Sequence, residues 1–148
     1  RALFVGGGPM ETELKRWGTQ KGDRVRVITG VLHDLVNGYL NAMDVLLAPS
    51  QTTPRWKEQF GRMLIEAFAA GVPVIGSDSG EIPFVIRDSG IIVAENDESG
   101  WLTALRKLLD SEVRQKEIQN SALQRVHKEF TWSMVAKRHL HFFEDIMK

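Results

Sequence analysis

Glu58-Gln59-Phe60-Gly61-Arg62-Met63-Leu64-Ile65-Glu66 runs directly into Ala67-Phe68-Ala69-Ala70-Gly71-Val72-Pro73-Val74-Ile75-Gly76. From Met63 to Gly71 the side chains are apolar or small except for Glu66, which predicts a helix packed against hydrocarbon. Pro73-Val74-Ile75 then reads as a short buried strand, giving the helix-to-strand alternation of an α/β fold. A carboxylate at position 66 is costly to bury unless hydroxyls or amides hydrogen-bond to it. In the second helical turn it also lies near the helix N-terminus, where backbone N–H groups and the dipole attract anions.

Outward from this stretch, strands and helices alternate. Ala2-Leu3-Phe4-Val5 is a short apolar run ending in Gly6-Gly7-Gly8-Pro9. The helix after it has Pro9 near its first position, Glu11 and Glu13 early, Lys15 and Arg16 late, and Gly18 expected just beyond its end. A second strand is expected at 25–29, a helix at 32–43 and a buried strand at 45–48 that closes on Pro49-Ser50. A loop at 51–57 precedes a helix over 61–70, a strand over 73–75, a turn at 77–80 and a short helix at 82–87. Ile91-Ile92-Val93 is the last strand. Helices follow from 99 and over 111–128, and a third carries Thr131 as N-cap with Val135, His139, Phe142 and Ile146 on one side. Trp132, Phe142 and Phe143 are expected in the core or at an interdomain contact. Five short apolar strands alternating with helices imply a Rossmann-like parallel sheet flanked by helices, with a helical C-terminal extension.

Composition narrows the partners. The 148 residues support one domain, 43% hydrophobic and 26% charged, as in an ordinary globular protein. With 19 basic and 19 acidic side chains the formal charge is zero, which argues against nucleic acid as a partner. Arg24, Arg26, Arg55, Lys57 and Arg62 are the candidates for a local basic patch. The absence of cysteine excludes disulfides, thiol catalysis and thiolate ligands. No apolar run approaches the roughly 18 residues of a membrane span, and no secretory pattern opens the chain. It opens in what reads as mid-strand, without methionine, and is expected to be a fragment.

Ligands of an open parallel sheet sit beyond the carboxyl ends of its strands, here the loops starting at Gly6, Thr29, Ser50, Ser77 and Val93. Gly6-Gly7-Gly8 lacks the spaced third glycine of a dinucleotide fingerprint, and no suitable acid follows, so a tight turn is the simpler account. Thr29-Gly30-Val31-Leu32 suits the edge and face of a nucleobase, or is an ordinary strand–helix connection. At the third loop, Gly61 lets a ligand approach the helix N-terminus, where amides of Phe60, Gly61, Arg62 and Met63 face an anion or sugar hydroxyls. Glu66 lies about 7 Å along the axis from Gly61, comparable to the reach from a diphosphate to its ribose, with Glu58 over the sugar end. A nucleotide sugar fits this arrangement; the alternative is a solvent-facing Glu66 and an ordinary loop charge at Glu58. Gly80 and Glu81 stand at another helix entrance, either to close on a ligand or as plain turn chemistry. His33, His127, His139 and His141 show no zinc-like spacing, and no Walker loop or nucleophile elbow is present.

Taken together, Val5-Gly6-Gly7-Gly8-Pro9, Ala42-Met43-Asp44-Val45, Pro49-Ser50, the Glu58-x7-Glu66 pair with its Ala67-Phe68-Ala69-Ala70-Gly71-Val72-Pro73-Val74 continuation, Gly76-Ser77-Asp78-Ser79-Gly80-Glu81-Ile82-Pro83, and Phe130-Thr131-Trp132 form an ordered set. Over essentially all its length the chain resembles the C-terminal, nucleotide-sugar-binding domain of retaining glycosyltransferases of the GT-B fold, family 4 or group 1. The resemblance implies that Glu66 bonds the donor's ribose hydroxyls and that Glu58, the candidate catalytic residue, contacts hydroxyls of the transferred sugar. It implies that amides around Phe60, Gly61 and Arg62 face the sugar and diphosphate, that Val31 matches the base-reading region, and that the Gly80 loop borders the sugar. No metal or other cofactor is implied, since protein donors and a helix N-terminus stabilise the leaving diphosphate.

The implied parent moves a hexose-type sugar from a UDP- or GDP-linked donor to a saccharide or lipid acceptor, in the cytoplasm, with peripheral attachment to the inner membrane face through its N-terminal domain. The first strand–helix unit of the family's domain, with the arginine and lysine that grip the diphosphate, and the whole N-terminal domain are expected to lie outside residues 1–148. Alone, the fragment is expected to be inactive; a non-catalytic nucleotide-binding or scaffold module is the alternative. Phe84 in place of a usual glutamate, the long 51–57 loop and Arg62 in place of a small or apolar residue depart from the family pattern.

Overall fold

The computed structural model describes all residues, 1–148, and divides into two compact units, Arg1–Tyr39 and Leu40–Lys148. In the first, β1 (Ala2–Val5) pairs in parallel with β2 (Val25–Ile28), Ala2 opposite Val25 through Val5 opposite Ile28. The crossover is α1 (Glu11–Gln20), joined to β2 through a 3-10 turn at Gly22–Arg24. Gly18 was expected past the end of this helix, yet it lies inside it and is buried. A Cβ at Gly18 would stand 3.3 Å from Cγ1 of Val25, so this glycine serves the close packing of α1 on β2. The chain turns two residues after the helix instead, at Gly22, where φ is 58°. α2 (His33–Leu40) is shorter than the 32–43 expected, and Leu32 and Leu35 remain exposed.

The second unit holds β3 (Leu46–Ala48), β4 (Val74–Ser77) and β5 (Ile91–Val93), all parallel in the order β3-β4-β5. Every residue of the central strand β4 is buried, as a strand covered on both faces requires. The strands are thus parallel and helix-flanked as expected, but their ladders form two sheets, because β2 and β3 share no hydrogen-bonded register.

Three helices pack on β4: α3 (Arg62–Ala69), α4 (Ile82–Ile86) and α5 (Glu98–Leu109). Phe68, Leu64, Ile75, Ile82, Ile86 and Leu108 are the largest fully buried side chains, each contributing about 1.5–3 kcal/mol by leaving water. β4 runs through Gly76 to Ser77, further than its apolar residues alone predicted. A Cβ at Gly76 would meet Cδ1 of Ile86 at 2.5 Å and Cγ2 of Ile82 at 2.6 Å, so α4 rests on bare backbone there. Ile75 and Leu108 cluster with Val93 and Ile118, with Trp101 and Leu105 packed against them.

α6 (Glu112–Arg125) continues through a π-helical turn at Val126–Phe130 into α7 (Trp132–Ile146). Arg125, buried at its end, donates to the carbonyls of Val85 (2.7 Å) and Phe84 (2.9 Å) near the end of α4. Its third contact is the Glu129 carboxylate at 2.8 Å. Burial lowers the Arg125 pKa, partly offset by Glu129. Thr131 caps α7 as expected, accepting from the Met134 N–H. The same helix brings a correction: none of its residues is buried, and Trp132 is 88% exposed, with Phe142 and Phe143 also at the surface. Along the stripe Val135 is half-buried while His139, Phe142 and Ile146 are exposed, so it forms no core within these residues.

Candidate functional site

Six of the seven residues singled out in the sequence gather at the N-terminal end of α3, in the second unit. Gly61 is the residue before the helix, with φ 75° and ψ 60°, and a Cβ there would press on Leu64 at 2.8 Å. Glycine is therefore required both by backbone conformation and by space.

Glu58 turns back on this entrance. Its Oε1 accepts from the N–H groups of Gly61 (3.0 Å), Gln59 (3.2 Å) and Phe60 (3.4 Å). The Phe60 and Gly61 amides, expected to face an anion from outside, are thus met by the chain's own carboxylate, as favoured at a helix N-terminus. The three bonds use one oxygen and leave Oε2 for other donors. The Arg62 and Met63 amides, in the first turn, have no intrahelical acceptor.

Glu66 is partly buried, its side chain 25% exposed, and its Oε1 lies 3.0 Å from Nε of Arg62, one turn earlier. The expectation of a lone charge in hydrocarbon missed this partner. Arg62 is itself 71% exposed, and an i,i+4 pair of this kind contributes only about 0.3–0.5 kcal/mol. A ligand offering hydroxyls to Glu66 and a phosphate to Arg62 separates them at small cost.

Gly80 bears on the same place from the next strand end. Its φ is 54°, and a Cβ would collide with the carbonyl oxygen of Glu58 and stand 2.8 Å from the carbonyl carbon. The N–H of Glu81 donates to that carbonyl at 3.0 Å. Gly80 thus seats the backbone of Glu58. Phe60 packs edge-on against Phe130, centroids 5.9 Å apart, and Phe130 lies under the Arg125 guanidinium. Val31, half-buried beside Gly30 (φ 68°), belongs to the first unit.

A polar circuit across the ends of β3, β4 and β5 was not anticipated. Glu95 accepts from the N–H and the hydroxyl of Thr52, both at 2.6 Å, and the Thr52 hydroxyl also lies 3.0 Å from that of Ser79. The Thr52 hydroxyl and then its amide hold the Glu95 carboxyl below its ordinary pKa. Ser77 donates to the Ser50 carbonyl at 2.6 Å, and Asp78 accepts from the Glu95 N–H at 2.9 Å. The sequence signal was the run of small polar residues just past each strand, but the partners stand 17 to 43 positions apart. No three His, Cys, Asp or Glu side chains are placed to share a metal ion, and no helix is long and apolar enough to cross a membrane.

The profile of the family described as glycosyl transferases group 1 matches residues 1–111. The chain belongs to this family. The D-inositol 3-phosphate glycosyltransferase of Corynebacterium kroppenstedtii is 32% identical over 117 residues, 78% of this chain and 24% of that protein. The GDP-mannose-dependent monoacylated alpha-(1-6)-phosphatidylinositol monomannoside mannosyltransferase of Corynebacterium glutamicum is 28% identical over 139 residues, 92% and 36% of the two. The fold matches that of Anabaena Alr3699/HepE, solved in complex with UDP, with a TM-score of 0.79 at 18% identity over 97% of this chain and 40% of that one. This group 1 chain therefore spans between a quarter and two fifths of the proteins it resembles.

Proposed function

We propose that this chain is the donor-binding domain of a retaining, metal-independent glycosyltransferase that moves a hexose-type sugar from a UDP- or GDP-linked donor to a saccharide or lipid acceptor. One observation carries this: Glu58 and Glu66 flank the start of α3, one on the entrance amides and the other one turn in, beside an exposed arginine. A nucleotide's ribose hydroxyls bond the Glu66 carboxylate, and the released Arg62 guanidinium takes the diphosphate, joined by the first-turn amides. Charge-assisted bonds contribute about 1.5–3 kcal/mol each, which outweighs the Glu66–Arg62 pair they replace. Glu58 keeps its cap through Oε1 and offers Oε2 to a sugar hydroxyl. The relatives support both nucleotides, one being GDP-mannose-dependent and another solved with UDP.

The dipoles aimed at the leaving diphosphate are fixed by the fold before the reaction begins, so they stabilise its charge without reorganising. The acceptor and the face opposite the donor come from an N-terminal domain of the same polypeptide, and the exposed Phe142, Phe143 and Ile146 of α7 support such a neighbour. Attachment to the inner membrane face, in the cytoplasm, belongs to that domain as well.

The test is turnover of UDP-glucose and GDP-mannose by the intact polypeptide, with the product anomer read by proton NMR in excess EDTA. Retention of configuration at an undiminished rate is expected. Inversion, or loss of activity in EDTA, contradicts the mechanism, and nucleotide binding without turnover assigns the chain to the non-catalytic alternative.

A further inference from the structure

Glu95 is two residues past β5 and far in sequence from the α3 entrance, yet it spends both carboxylate oxygens on one residue of the loop leading there. Thr52 gives it an N–H and an O–H at 2.6 Å each, short charge-assisted bonds of the stronger kind. Between Thr52 and Glu58 the loop closes on itself: the Thr53 N–H donates to the Trp56 carbonyl at 2.7 Å and the Trp56 N–H donates back at 3.3 Å. Little slack remains, so the place of Thr52 determines the place of Glu58.

The circuit reaches Glu58 from the other side too. The Thr52 hydroxyl lies 3.0 Å from the Ser79 hydroxyl, and Ser79 precedes Gly80, which abuts the Glu58 backbone. Glu95 is in turn held by its own N–H on Asp78, whose N–H donates to the Val93 carbonyl at 3.1 Å. Three strand ends are tied in a ring, and both segments that seat Glu58 hang from it.

We propose that Glu95 is a positioning residue for Glu58, its grip on Thr52 fixing the loop before Glu58 and the Ser79-Gly80 segment against it. This rests on the donor-site reading above. A carboxylate suits the task because it accepts from an amide and a hydroxyl at once; glutamine keeps one acceptor oxygen, and alanine keeps none.

Amide hydrogen exchange and donor kinetics on the intact polypeptide test it. In Glu95→Ala, exchange over residues 51–61 rises at least tenfold while α5 keeps its protection, and Glu95→Gln restores most of the difference. With UDP-glucose or GDP-mannose as donor, kcat falls at least tenfold in Glu95→Ala and KM changes less than threefold, because Glu66 and α3 are untouched. Thr52→Val, nearly isosteric, reproduces both effects and stands in should Glu95→Ala not fold. Unchanged exchange over 51–61, or kcat and KM falling off together with melting temperature, overturns the proposal. Wild-type protein that consumes neither donor contradicts the donor-site reading alone, and the exchange result then decides whether Glu95 holds the Glu58 segment.

Discussion

Arg62 and Glu66 show how little energy holds the proposed donor site in its resting arrangement. Their ion pair is open to water on the arginine side, so Glu66→Gln should shift stability by under about 0.5 kcal/mol, measured by urea unfolding. Gly80 is the opposite case. Alanine there must adopt a positive φ and also push the Glu58 carbonyl away, so Gly80→Ala should destabilise by about 2–4 kcal/mol on the same assay. Acid provides a third check. Hydrogen bonds lower the pKa of Glu95, from Thr52, and of Asp97, from the Gly100 amide and then Ser99. The depressed folded-state values mean that both contribute stability above their ordinary values of 4.5 and 3.8, lost as pH falls through the lower folded values. Unfolding followed from pH 6 to pH 3 should show the loss beginning below pH 4.5, and Glu95→Gln should reduce it.

Elements were legible wherever apolar residues cluster locally. The run from Met63 placed α3 almost to the residue, and Thr131 marked the start of α7 because a hydroxyl before an amphipathic stretch caps it. Gly18 misled, since a glycine near basic residues reads as a stop signal, whereas its purpose is contact with Val25 on another element. Contacts of that kind have no local trace: nothing near Arg125 announces that it will hold the carbonyls of Phe84 and Val85, or near Thr52 that Glu95 will clasp it. That both glutamates and Gly61 would gather at one helix entrance was readable, but not that Glu58 would cap that entrance or that Arg62 would answer Glu66. Arg125→Ala removes the clamp between α6 and α4 and leaves Glu129 with its distant Arg87 contact at 4.0 Å, so a loss of about 2–4 kcal/mol is expected in denaturant unfolding.

At the scale of the whole molecule, stability and function are lodged in different places. The buried mass lies around β4, while the residues proposed to meet the donor stand at the rim, on loops positioned by that rigid centre. Family membership agrees with the parallel, helix-flanked topology of the strands. The most direct measurement is calorimetric titration of the intact polypeptide and of Glu66→Ala with UDP, GDP and their 2′,3′-dideoxyribose analogues. Wild-type protein should bind at least one ribonucleotide at least tenfold more tightly than its dideoxy analogue, and Glu66→Ala should lose that preference by the same factor. Equal affinity of wild type and Glu66→Ala for the ribonucleotide would contradict the assignment of Glu66 to the ribose, and the donor site with it.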